Sequence, residues 1–195
     1  RLLEQLLFTP QRNTKIHHLS EWFQNTPMPD RGWGLAALVG EFQSKKAKPA
    51  LIRAMASTKI DAELFAISYD FVGDLAETVA LIWPEPHLRP NSTPPTLSSI
   101  VSALGDANSE ETKTLISQWL DISNTTTRWG LLKLTTGGLR VGASARTVRL
   151  ALAHAYGKPV EDIEEIWPLI QPPYTALFDW LENKSPRPNA DGKAV

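Results

Sequence analysis

The stretch from Gly137 to Ala153, GGLRVGASARTVRLALA, sets three glycines and three arginines just before a run of helical spacing. Glycine lets a backbone approach a ligand closely, and arginine presents a charged fork that matches phosphate oxygens. The chemistry these residue types suggest is phosphate binding. The phosphates could belong to a nucleotide or to a nucleic-acid backbone.

Gly137, Gly142 and Ser144 stand at the spacing of a G-x-x-x-x-G-K-[ST] nucleotide loop, but Ala143 occupies the lysine position and the preceding segment reads as helix. The order G-G-x-x-x-G also departs from the dinucleotide fingerprint. A structural reading has Gly137 and Gly138 end one helix while Gly142 turns the chain into the next. A binding reading has Ser144 cap a helix from Ala145, whose first-turn amides and dipole attract an anion. Arg146 lies in that first turn, where a cation is unfavourable unless an anion compensates. Val148, Ala151, Leu152 and Ala155 form the buried face, placing Arg146 and Arg149 on a side near the exposed one. Separated contacts without an enclosed pocket suit a polyanion better than a small cofactor, so no cofactor is expected on this chain.

Charge distribution favours the binding reading, although net charge is only −1. No acidic residue occurs between Asp121 and Glu161, an interval holding Arg128, Lys133, Arg140, Arg146, Arg149 and Lys158. Conversely, Asp61, Glu63, Asp70, Asp74, Glu77 and Glu85 share a segment with no lysine or arginine. The chain is polarised.

The elements that must position these residues read as helices almost throughout. Apolar spacing marks Leu2 to Leu7, a helix through Ile16 to Phe23 with Asn13 as cap, and one after Asp30 through Leu38. Pro49 opens a fourth. Others run over Asp61–Tyr69, Gly73–Trp83, Leu97–Leu104, Ser109–Leu120, Thr126–Thr136, Val160–Trp167 and Tyr174–Leu181. PEPHLRPNSTPP, residues 84–95, has five prolines and reads as a linker between helical halves 1–83 and 96–184. The expected fold is all-α.

Apolar residues make up 42% of the 195, enough for a core, and no apolar run reaches the roughly 18 residues of a membrane span. With no secretory signal and no cysteine, a cytoplasmic location is expected. Arg1 in place of an initiator methionine and the ending NADGKAV suggest a fragment of a longer parent. His17, His18, His87 and His154 form no metal-ligand pattern. The seven tryptophans sit at apolar helix positions and read as core rather than base-stacking platforms. Lys45, Lys46 and Lys48 read as a solvated loop or a second phosphate contact.

LLKLTTGGLRVGASARTVRLALA, Leu131 to Ala153, resembles a segment of the N-terminal DNA-binding domain of ATP-dependent DNA ligases, with its K-x-x-x-G-x-[LF]-R-[VI]-G-x-[SA] pattern. Pro29-Asp-Arg-Gly-Trp33, Tyr69-Asp-Phe-Val-Gly-Asp-Leu75 and Glu110-Glu-Thr-Lys113 resemble other segments of that domain in the same order. The likeness covers essentially all of residues 1–195 and is strongest for the bacterial branch. It implies an all-α domain lying on the minor groove of nicked duplex DNA in a bacterial, nucleoid-associated enzyme of repair, replication or recombination. Carried over, the DNA-binding residues are Gly137, Gly138, Arg140, Gly142, Ser144 and Arg146, with Lys133 and Arg149 beside them. Gly73 and Asp74 match a second DNA-facing loop, although a carboxylate there would repel phosphate and suits a cap for the helix from Leu75.

The parent implied is a ligase using ATP and Mg, with adenylation and OB-fold domains beyond residue 195. Its nucleophile is the lysine of K-x-D-G. The Asp-Gly of this chain, Asp191-Gly192, follows Asn189 rather than lysine at that spacing, so this stretch alone is expected to bind a nick without sealing it. The rival expectation is a non-catalytic helical protein-interaction module with a basic docking face.

Overall fold

Caps and helix breakers divide the chain into twelve short α-helices among the described residues, with no strand there. The computed structural model describes residues 2–42, 47–85 and 93–189. Lys45, Lys46, His87, much of the proline-rich segment and Asp191-Gly192 lie outside them. In chain order the helices are α1 (Leu2–Phe8), α2 (Arg12–Asn25), α3 (Asp30–Val39), α4 (Pro49–Ala56), α5 (Ala62–Val72) and α6 (Leu75–Ile82). They continue as α7 (Leu97–Asp106), α8 (Ser109–Asp121), α9 (Thr125–Thr136), α10 (Ala145–Tyr156), α11 (Val160–Ile166) and α12 (Thr175–Leu181).

Local chemistry accounts for most starts. Asp61 accepts the Glu63 and Leu64 amides to cap α5, and Asn108 with Glu111 forms a reciprocal capping box on α8. Two expected caps are displaced by a residue or more. The Lys15 amide closes onto the Gln11 carbonyl, so α2 begins at Arg12 and Asn13 sits inside its first turn. Asp30 is likewise the first residue of α3, after Pro29.

The helices gather into two compact units, one formed by Arg1–Phe42 with Arg140–Val195 and the other by Gln43–Leu139. This division differs from the expected halves on either side of residues 84–95. Ile52, Val79 and Trp83 from before that segment share one apolar core with Ile100, Ile116, Leu120 and Leu132 from after it. Prolines stop helices, but burying these side chains, worth about 1.5–3 kcal/mol each, decides which helices pack together.

In the discontinuous unit, α10 packs on α2, α3 and α11. Its core includes Leu19, Phe23, Val148, Leu152, Ile163 and Phe178. Arg31 runs through it, donating to the Phe23 carbonyl and the Tyr156 hydroxyl, pairing with Glu182 at 2.7 Å and lying over the Phe178 ring. A Cβ on the next residue, Gly32, would fall 1.7 Å from the Pro173 carbonyl oxygen. The Pro29–Trp33 motif thus serves packing here.

Candidate nucleic-acid interface

The contacts of α2 with the stretch leading through α10 ascend together. Lys15 meets Val141 and Gly142, Ser20 meets Ala151, and Gln24 meets Ala155. The two helices therefore run parallel and bring their N-termini to the same end of the unit. Small side chains at Ser20 and Ala151 allow the close approach, with the Ser20 hydroxyl donating to the Ala151 carbonyl at 2.9 Å.

Each N-terminus leaves donors unused. Ser144 caps α10 by accepting the Thr147 amide at 3.1 Å, as its sequence position implies. Among the described residues, the amides of Ala145 and Arg146 meet no acceptor. Gln11 gives α2 no side-chain cap, and neither helix has an acidic residue in its first turn. Two partial positive charges therefore face the same end.

Cations reinforce them. Arg12, Arg140 and Arg146 are exposed, and among the described residues none has an ion-pair partner. Beneath them Lys15, 9% exposed, donates to the carbonyls of Gly142 at 2.8 Å and Val141 at 3.4 Å. These bonds hold two carbonyl oxygens toward the interior, where they do not repel an incoming anion, and add a positive charge below the loop. Gly142 has φ +66°, and a Cβ there would lie 2.6 Å from the Lys15 ammonium. The backbone angle favours glycine, and a Cβ would also have to push the Lys15 ammonium aside from its two carbonyl bonds.

The other expected contacts are occupied differently. The Gly138 amide bonds the Lys133 carbonyl and the Gly137 amide the Leu134 carbonyl, a Schellman ending for α9 with Gly137 at φ +77°. Their donors are spent on the helix, in line with the structural reading of the glycine pair. Lys133 pairs with Asp74, which also caps α6 through the Glu77 amide. Burial acts to raise the Asp74 carboxyl, but the Lys133 hydrogen bond and charge and the Glu77 amide outweigh it and hold it below the usual carboxylate value. Arg149 stacks 5.2 Å over Trp167 and lies 3.7 Å from Glu164 of α11.

Two more of the basic residues in the acid-free interval are also committed. Arg128 is 1% exposed and donates to the Leu120 and Trp83 carbonyls, and Lys158 bonds Asn183. Arg140 and Arg146 are the members of that interval with no partner among the described residues. Trp83, Trp119 and Trp180 are buried and the other four half-buried, so none is an open stacking platform. Lys48 is exposed.

Sequence reasoning passed over Arg12 and Lys15. The signal for Lys15 was present, because it lies in phase with Leu19 and Phe23 on the buried stripe of α2. A lysine on an apolar face needs a polar partner.

No protein-family model matches this chain, and no curated protein compared with it does. No helix of the described residues is long and apolar enough to cross a membrane.

Proposed function

We propose that this chain grips the sugar-phosphate backbone of duplex DNA, without reading sequence, as the DNA-binding domain of an ATP-dependent DNA ligase. The observation that carries the reading is the pair of parallel helix N-termini bearing Arg12, Lys15 and Arg146, with Arg140 in the loop that leads into α10. A polyanion with regularly spaced charges can meet separated cations and free amides at once, whereas a single small anion would use only a few. Fixed phosphate contacts position a duplex but carry no base information.

In this role Ser144 sets the start of α10, Gly142 allows the loop to turn over Lys15, and Arg140 and Arg146 supply direct phosphate contacts. Nick sealing would fall to an adenylation domain of the parent, with its own lysine, ATP and Mg. This chain would add duplex affinity and hold the break in register.

The test is binding to fluorescent duplexes of several unrelated sequences, nicked and intact, at low salt. Similar affinity across sequences is expected. No binding to any duplex would contradict the proposal, and strong preference for one sequence would replace it with a base-reading function.

A further inference from the structure

α5 is unusual among the helices because none of its residues is buried, although most of them are apolar. Phe65 and Tyr69 stack on one another at 6.1 Å, Arg53 lies 4.6 Å over the Tyr69 ring, and Phe65 packs on the apolar core. Away from those contacts lie Leu64, Ile67 and Phe71, at i, i+3 and i+7, a single stripe one helix face wide. Phe71 is 92% exposed and Ile67 63%. A stripe of this kind is larger than the isolated exposed apolar residues common on protein surfaces.

Its edge is acidic. Glu63 and Asp70, seven apart, flank Ile67, are exposed, and have no ion-pair partner among the described residues. The sequence from Asp61 to Glu85 contains no lysine or arginine. We propose that this face of α5 docks a basic amphipathic helix of a partner protein, its apolar side on Leu64, Ile67 and Phe71 and its lysines or arginines beside Glu63 and Asp70. Anchors at i, i+3 and i+7 are the spacing by which helices recognise one another, and opposite charges at the rim fix orientation and speed encounter.

Charge discriminates against the other occupants. A second copy of this chain would set Glu63 and Asp70 against their own like charges across a two-fold axis. Nucleic acid would meet carboxylates where it needs cations.

The experiment uses a synthetic leucine-lysine peptide with leucines at helical spacing, and a peptide of the same composition with the spacing scrambled. Wild-type chain is expected to bind the first and not the second. Ile67→Ser with Phe71→Ser should weaken binding about tenfold or more, as loss of central apolar anchors does. Glu63→Lys with Asp70→Lys, which keeps the apolar stripe, should weaken it at low salt and much less at high salt. Circular dichroism should be unchanged in both variants, and duplex affinity unchanged in the serine variant, so failure here is separable from failure of the DNA proposal.

Absence of peptide binding by the wild type, or binding by both variants as tight as that of the wild type, would overturn the assignment. So would a wild-type dimer that the serine variant resolves to monomers, or a loss of duplex affinity in the serine variant.

Discussion

The Lys15 ammonium lies 2.8 Å from the Gly142 carbonyl oxygen, joining the first turn of α2 to a loop 127 residues later. This bond explains the shape of the loop more fully than its glycines do. Lys15→Met keeps an unbranched side chain one atom shorter and removes its donors, leaving the Val141 and Gly142 carbonyls without their partner. The expected loss is roughly 1–3 kcal/mol of stability in urea titration, together with weaker duplex binding. Unchanged stability would show that solvent replaces the bond freely.

Arg149 differs from Arg146, three residues before it, because its side chain stacks on Trp167 and faces Glu164. Arg149→Ala is expected to lower stability by about 0.5–1 kcal/mol through the lost ring contact, with little change in duplex affinity. A large affinity loss at unchanged stability would return Arg149 to the binding surface.

Asp74 links pH to the stability of the Gln43–Leu139 unit. Its carboxyl is held below the ordinary value, so its stabilising contribution is complete above about pH 4 and is lost as pH falls through the lower, folded-state value. Asp74→Asn preserves an α6 cap and removes this titration. Stability measured by denaturant should then fall less steeply in acid than in the wild type. At neutral pH the cost should stay within roughly 1 kcal/mol, because a side chain 36% exposed is screened by solvent. A steeper acid limb in the variant would show the pairing has been assigned the wrong sign.

Helix identities were legible in the sequence because caps and periodicity act over a few residues. Asp74 and Ser144 cap as their positions imply, and Pro49 opens α4. What acts over long separations was not legible. The core uniting Trp83 with Ile100 and Leu120 crosses the proline-rich segment, and no local pattern announces that pairing. The candidate site was half visible: Arg140, Gly142, Ser144 and Arg146 stand out by spacing, while Arg12 and Lys15 join them only because α2 and α10 run parallel. Arg128, Lys133 and Arg149 show the limit of counting charge along a chain, since each is held by groups that folding brings from elsewhere.

The most direct test of the DNA-backbone claim is the salt dependence of duplex affinity in the wild type and in Arg140→Ala with Arg146→Ala. The cations at this end of the unit, exposed Arg12, Arg140 and Arg146 with Lys15 beneath them, imply a log-log slope of roughly −3 to −4. The double variant should keep its fold, bind all duplexes more weakly, and show a slope shallower by about 2. An unchanged slope and affinity in a folded double variant would contradict the account.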